Sequence, residues 1–114
     1  MSERGIHVVA YEDLVRTYWK TYRPAEVARM GSSGLEAFVE EKAEEIEEAL
    51  QDRAEELAPP LRDGMPLMER VGEMKQARFE ARSEVLQELV YGVPKEPGTE
   101  MKDMPRVTLP PLDA

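Results

Sequence analysis

The sequence predicts an all-α chain, in which an antiparallel hairpin of two long helices follows an N-terminal helix and precedes an extended Pro-rich arm. Three observations lead to this prediction. Apolar residues recur at helical spacing in three segments, Pro and Gly cluster between and after these segments, and strand-like alternation is weak everywhere. The predicted helices span about residues 10–23, 35–57 and 66–91 within a helical domain of residues 1–93, and the arm spans residues 94–114.

The first helix is predicted from a stripe of apolar and aromatic residues at spacings of three and four. The stripe consists of Leu14, Val15, Tyr18, Trp19 and Tyr22. The patch from Ile6 to Val9 before it is compatible with a strand but too short to define a sheet. Pro24 ends the helix or begins a short turn, because a proline in a helix interior removes a backbone hydrogen bond.

The second helix is predicted from a start signal and a narrow apolar stripe. In the flexible joint GSSG, Ser33 followed by Glu36 fits a capping box, in which each side chain satisfies the other residue's free backbone N–H. The stripe is rich in alanine, which suits one close helical neighbour. It consists of Leu35, Phe38, Val39, Ala43, Ile46, Ala49, Leu50, Ala54 and Leu57.

The third helix follows the Pro-rich connection APPLRDGMP and ends before Gly92 and Pro94. Its stripe consists of Leu67, Val71, Met74, Ala77 or Arg78, Ala81, Val85 and Leu89, flanked by Met68, Leu86 and Val90. A short connection between two long helices favours an antiparallel hairpin.

The arm has five prolines and no sustained periodicity, so alone it should be extended. It nevertheless carries Val107, Leu109 and Leu112, which exposure to solvent does not explain. Two interpretations stay open: an arm that docks on another subunit through these residues, or a disordered terminus.

The composition excludes several classes of function. A net charge of −9 argues against binding to nucleic acid phosphates or to anionic lipid, and no apolar run is long enough to cross a bilayer. The chain has no cysteine, its single histidine is His7, and neither a catalytic pair nor a phosphate-binding loop is present. We therefore expect no enzyme activity, no metal site and no cofactor.

The second helix is unusually acidic. Residues 36–56 contain ten carboxylates against Lys42 and Arg53, and Glu44 and Glu48 form one of several like-charge pairs one turn apart. This face is interpreted as a solvated surface, as a surface for a basic partner, or as a mimic of nucleic acid.

The first helix is the one locally basic region. Arg16, Lys20 and Arg23 alternate with Tyr18, Trp19 and Tyr22, and residues 1–30 carry a net charge of +1. The aromatic residues either pack onto the hairpin or anchor an interface, where Trp, Tyr and Arg are over-represented. In the second case this helix would contact the acidic helix of a neighbouring copy head to tail.

The segments YWKTYRP, GLEAFVEEKAEEIEEAL and PLMERVGEMKQARFEARSEVLQEL…VPKEP occur in this order. Across about residues 18–97 they resemble small acidic helical proteins of actinobacterial phages and prophages. The resemblance implies a phage origin and a place among genes for head and neck assembly, and it supplies no catalytic residues.

The sequence therefore predicts a non-enzymatic phage structural or assembly protein that is capsid-associated, neck-associated or scaffold-like. Its expected partners are further copies of itself or a phage head protein, and its expected location is the host cytoplasm during assembly, or the virion. One alternative is a small acidic inhibitor or adaptor that occupies a basic, DNA-binding protein surface. Another is a partner of a toxin or of the transcription machinery that folds on binding.

Overall fold

Three α-helices and one π-helical turn form the regular structure of the chain, in a computed structural model that describes residues 6–58, 64 and 66–109. The helices are α1, Ile6–Tyr22; α2, Pro24–Leu57; and α3, Leu67–Leu86. The π-helical turn, Gln87–Tyr91, continues directly from α3. The residues in these ranges contain no strand, which confirms the prediction of an all-α chain.

Helix α1 begins at Ile6, about four residues before the predicted start, so it includes the patch that had suggested a strand. β-Branched residues lower helix propensity only slightly, and the stripe that follows decides the structure. Its buried residues recur at spacings of three and four, as an amphipathic helix requires. They are Tyr11, Leu14, Val15, Tyr18 and Tyr22.

One residue, Arg23, separates α1 from α2. Its backbone leaves the helical region, with φ −132° and ψ 48°, and Pro24 then occupies the first turn of α2. Proline is favoured there because its fixed φ suits a helix. It lacks a backbone N–H, but an N–H in the first turn would have no intrahelical acceptor in any case. The first helix therefore ends just before Pro24, as predicted, and Pro24 begins a second helix and not a short turn.

Helix α2 is kinked at Gly31, where φ is +76° and ψ is 171°. This backbone region is accessible essentially to glycine alone. The predicted joint GSSG therefore lies at a real bend, although helix continues on both sides of it. The predicted capping box is not seen, since both carboxylate oxygens of Glu36 accept hydrogen bonds from Arg16.

Helix α2 packs against both α1 and α3, and the core lies between them. Small residues on the facing surfaces, Ala43, Ala77 and Ala81, allow the helices to approach closely. The larger side chains that fill the core include Leu35, Val39, Ile46, Val85, Leu86 and Val90. Only the C-terminal half of α3 contributes to this core.

Gly92 follows the π-helical turn at a position where the backbone leaves no room for a side chain. A Cβ at this position would lie 2.6 Å from the carbonyl oxygen of Gln87, a backbone atom that cannot easily move away. Its φ of −81° is available to any residue, so close approach of the backbone is what requires glycine.

Residues 94–109, the C-terminal segment, form turns and non-helical structure that lie against α1 and the start of α2. The backbone N–H of Glu96 donates to the carbonyl oxygen of Tyr22 at 2.9 Å. The hydroxyl of Thr99, a buried residue, reaches the same oxygen at 3.2 Å. The segment thus satisfies a carbonyl group at the end of α1, where intrahelical partners run out.

The same segment also caps the start of α2. The Glu96 carboxylate accepts hydrogen bonds from the backbone N–H groups of Ala25, at 2.9 Å, and Glu26, at 3.1 Å. A negative charge at a helix N-terminus is favoured by both the free N–H groups and the helix dipole. One short stretch of chain therefore holds two helix ends together.

Candidate protein–protein interface

The structure places two of the three predicted aromatic anchors inside the chain. Tyr18 and Tyr22 are buried, and their ring centroids lie 4.9 Å apart. Their hydroxyl groups donate to the carbonyl oxygens of Val93, at 2.6 Å, and Lys102, at 2.8 Å. Burial raises the pKa of Tyr18. In this conformation both side chains hold the C-terminal part of the chain and are not offered to a partner.

Trp19 is the one predicted anchor that keeps partial exposure. Its ring packs edge-on against Phe38, with centroids 4.6 Å apart, and the Arg23 guanidinium lies 5.5 Å from the indole centroid. These contacts fix the indole ring at the junction of α1 and α2. The ring face that could bind a cation from a partner is occupied by Arg23 of the same chain.

The predicted basic surface of α1 is largely neutralised inside the chain. Arg16 makes a bidentate pair with Glu36, at 2.7 and 2.8 Å, and a further bond to Asp13 at 2.7 Å. The Arg16 guanidinium lowers the pKa of the Glu36 carboxyl group through this hydrogen bonding. Little positive charge is then left on α1 to attract the acidic helix of another copy, apart from the exposed Lys20.

Helix α2 presents an acidic stripe that runs opposite its buried face. Its members are exposed and recur at spacings of three and four. They have no ion-pair partner among the described residues, whereas Glu45 is paired with Lys42 and Glu56 with Arg53. The stripe consists of Glu41, Glu44, Glu48, Asp52 and Glu55. The predicted residues Glu44 and Glu48 thus lie together on one continuous charged surface.

The hydrophobic residues predicted for the arm pack on their own chain where they are described. Val107 and Leu109 are partly buried against the core formed by the helices. Leu112 lies outside the described residues, so its place in the predicted docking arm stays a prediction.

An exposed apolar surface lies along residues 67–79 of α3. We call it the α3 patch; it consists of Leu67, Met68, Val71 and Phe79. These residues span about 18 Å of helix at 1.5 Å per residue. Single exposed hydrophobic residues are common, but several large ones on one side of a helix are a feature of binding surfaces.

Sequence reasoning missed the α3 patch because Leu67 and Val71 continue the stripe that is buried further along α3, with Met68 on its flank, and because Phe79 was assigned to neither. Leu67, Val71 and Met74 share the spacing that leads to Ala81 and Val85, so periodicity assigned them all to one core. The structure shows that the stripe is longer than the surface α1 and α2 offer it. A radius of gyration of 16.7 Å, against about 13 Å for a compact chain of this length, agrees with such a projection.

The described part of the chain offers few groups for other chemistry. Within residues 6–58, 64 and 66–109, no cluster of three or more His, Cys, Asp or Glu side chains is arranged to hold a metal ion. In the same ranges no helix combines the length and apolar character that crossing a membrane requires.

Comparisons with protein-family models, with curated proteins and with solved structures gave no match for this chain. Function is therefore inferred from the α3 patch, the acidic stripe and the docked C-terminal segment.

Proposed function

We propose that this chain is a non-enzymatic assembly protein that binds other protein surfaces through the α3 patch. The observation that carries the proposal is the division of α3 into two halves. The buried residues of α3, which are Ala77, Ala81, Val85 and Leu86, all lie in its C-terminal half, whereas the N-terminal half exposes Leu67, Met68 and Val71 to solvent. Burying such side chains against a partner is favourable by roughly 1.5–3 kcal/mol each.

The finer architecture of this protein would be an antiparallel hairpin of α2 and α3 with an extended Pro-rich arm over residues 94–114. Two long helices that pack together across a connection of residues 58–66 support the hairpin. In this arrangement α1, α2 and the end of α3 form the packed core of the protein. The start of α3 projects from that core and contacts the partner.

The setting of the proposal is the assembly of a phage head or neck, where the chain would act as a structural component or as a scaffold. The partners would be further copies of the chain or a head protein, met in the host cytoplasm and, for a structural component, retained in the virion. The support is the resemblance of residues 18–97 together with a surface suited to protein contacts.

Site-specific photo-crosslinking in producing cells tests the interface. A photoreactive residue would replace Met68, 81 % exposed in the α3 patch, or Met101, which is 94 % exposed outside it. We expect crosslinks from position 68 to a copy of the chain or a head protein, identified by mass spectrometry, and few from position 101. Equal yields at the two positions would refute the α3 patch as the interface.

Mass spectrometry of purified particles tests the setting. Retention in mature particles supports a structural component, and presence only in precursor particles supports a scaffold. Absence from both would remove the phage-assembly setting, even if position 68 still crosslinks to a protein.

A second candidate function is a small acidic inhibitor or adaptor that binds a basic protein surface in place of DNA. The observation that favours it is the acidic stripe, whose carboxylates Glu41 to Glu55 run along about 21 Å of one helix face. A row of unpaired charges of this kind attracts a basic surface and speeds association with it.

The two candidates differ in how binding responds to salt and to DNA. Binding through the acidic stripe should weaken steeply in moderate salt, because exposed charges are screened over about 10 Å at 0.1 M, and duplex DNA should compete for the target. Replacing Glu44 and Glu48 by Gln should reduce that binding, whereas M68D should leave it unchanged. Failure of excess DNA to compete would remove this candidate.

A further inference from the structure

The charge of residues 67–79 and the glycine at position 72 indicate which partner binds the α3 patch. This inference rests on the proposed function, since it concerns the same surface. We infer that the α3 patch binds the α3 patch of a second copy of this chain, so that two α3 helices cross antiparallel near Gly72.

The first observation is the charge on the helix that carries the patch. Residues 67–79 contain Arg70, Lys75 and Arg78 against Glu69 and Glu73, a net charge of +1, whereas the whole chain carries −9. This is a nearly neutral surface with charges of both signs, so it has no marked preference for an acidic or a basic partner. It is therefore suited to a copy of itself, whereas the acidic stripes of two copies would repel each other.

The second observation is that nothing in residues 6–58, 64 and 66–109 requires a glycine at position 72. It lies in the interior of α3 without a positive φ, and a Cβ there would meet nothing within 4 Å. Glycine in a helix interior is less stable than alanine by roughly 0.5–1 kcal/mol. Neither its backbone conformation nor packing against the described residues requires glycine here, but a second helix crossing at this point would, because the missing side chain lets two backbones approach.

The position of Gly72 within the patch supports this explanation. Met68, Gly72 and Phe79 are separated by four and seven residues, so they share one side of the helix. Gly72 therefore forms a gap flanked by two exposed apolar side chains. A two-fold contact centred on it would set Met68 and Phe79 of one copy around the backbone of the other.

The charges near the centre also fit an antiparallel crossing. About a two-fold axis at Gly72, position 69 of one copy faces position 75 of the other, since 69 and 75 are equally distant from 72. Glu69 would then lie across from Lys75 twice, once on each side of the axis, in addition to the interactions that both residues already make within their own chain. A parallel crossing would instead bring each charged residue beside its own copy, which is unfavourable.

Sedimentation equilibrium of the full chain tests the inference, with the variants M68D and M101D compared at matched concentrations. We expect the unmodified chain to approach twice its 13.0 kDa mass as concentration rises. M68D should weaken the dimer at least about 100-fold, because two buried methionines are replaced by two charges. M101D should leave the dimer unchanged, since it introduces the same charge at another highly exposed methionine, outside the α3 patch.

A third variant separates loss of pairing from loss of folding. G72L should raise the helicity and stability of the single chain, because leucine is a better helix former and has open space there. It should nevertheless weaken the dimer at least tenfold, since its side chain fills the crossing point. A G72L chain that pairs as well as the unmodified one would overturn the crossing at Gly72.

Salt dependence provides an independent check of the surface involved. Pairing through the α3 patch should persist or strengthen in moderate salt, because salt screens the repulsion between two chains of charge −9. A dimer that dissociates in salt, or that M68D and M101D weaken equally, would overturn the inference.

Failure of this inference can be told apart from failure of the proposed function. A chain that is monomeric at all concentrations, but crosslinks from position 68 to a head protein, overturns self-pairing and leaves the proposed interface in place. Absence of both pairing and a position-specific crosslink overturns both.

Discussion

Replacing Glu96 by alanine tests how strongly the C-terminal segment holds the junction of α1 and α2. The first turn of a helix has N–H groups without intrahelical partners, and Glu96 accepts two of them, from Ala25 and Glu26. Loss of an N-terminal capping acceptor costs about 0.5–2 kcal/mol, and loss of its charge near the helix dipole costs about 0.3–1 kcal/mol. We expect E96A to lower the free energy of unfolding by about 1–2 kcal/mol.

Two further variants show whether the cause is the cap. E96Q retains the shape and one oxygen acceptor but loses the charge, so it should fall between the unmodified chain and E96A. E55A removes the same side chain from an exposed position without an ion pair among the described residues. Because Glu55 lies near the C-terminal end of α2, where negative charge is disfavoured, E55A should be neutral or slightly stabilising.

The measurement is urea unfolding followed by circular dichroism, at one fixed protein concentration because self-association would change the apparent stability. Thermal unfolding should show the same order, with a shift of about 4–8 °C per kcal/mol for a domain near this size. If E96A and E55A agree within about 0.3 kcal/mol, the carboxylate does not cap α2 in solution, and the described role of the segment is refuted.

Three other predictions concern single positions. G31A should destabilise the chain by about 1–3 kcal/mol, since its φ of +76° and ψ of 171° suit glycine alone, whereas the helical G34A should be neutral or stabilising; equal effects in urea unfolding would contradict the kink. Because Arg16 lowers the pKa of the Glu36 carboxyl group, their pairing stabilises the fold above the ordinary pKa of glutamate and is lost as pH falls through the lowered value. The stability difference between the unmodified chain and E36Q should therefore narrow on acidification, and a constant difference would exclude this linkage. G92A should cost about 1–3 kcal/mol in thermal unfolding, because its Cβ would meet a carbonyl oxygen at 2.6 Å; an unchanged melting temperature would show that the π-helical turn relaxes freely.

Sequence periodicity was sufficient for the features that depend on neighbouring residues along one helix. The stripe from Leu14 to Tyr22 identified α1, and the glycine-containing joint identified the bend in α2 at Gly31. Helical spacing records which side chains share a face, so it predicts amphipathic helices well. It does not record which surface that face will meet.

The features that were missed all depend on contacts between distant parts of the chain. Periodicity could not show that Leu67 and Val71 extend past the surfaces of α1 and α2. The spacing of apolar residues in one helix gives no information on how far the neighbouring helices reach along it. It also gave no sign that Glu96 would cap α2, since residues 25 and 96 are 71 positions apart. A glutamate within a Pro- and Gly-rich stretch is a common loop residue, and only the folded chain shows its bonding partners.

The basic character of the first helix illustrates a related limit. The charge pattern suggested an attractive surface for an acidic neighbour, but counting charges does not show which are already paired. Arg16 is engaged by Asp13 and Glu36, so the electrostatic attraction is used within one chain. Exposed charges attract partners only to the extent that they stay unpaired.

The docked C-terminal segment has a consequence for the order in which the chain folds as it is made. α1 and the start of α2 leave the ribosome well before Glu96, Thr99 and Lys102, which complete their hydrogen bonding. At about 5–20 residues per second, the 71 residues between Ala25 and Glu96 correspond to a delay of roughly 4–14 s. Throughout that interval the junction of α1 and α2 lacks its caps, and for most of it the buried residues of α3, 77–86, have not yet been made. The junction of α1 and α2 therefore gains its full hydrogen bonding only after residues 96–102 have been made, and a chain interrupted before residue 96 would leave the Tyr22 hydroxyl and the first turn of α2 without these partners.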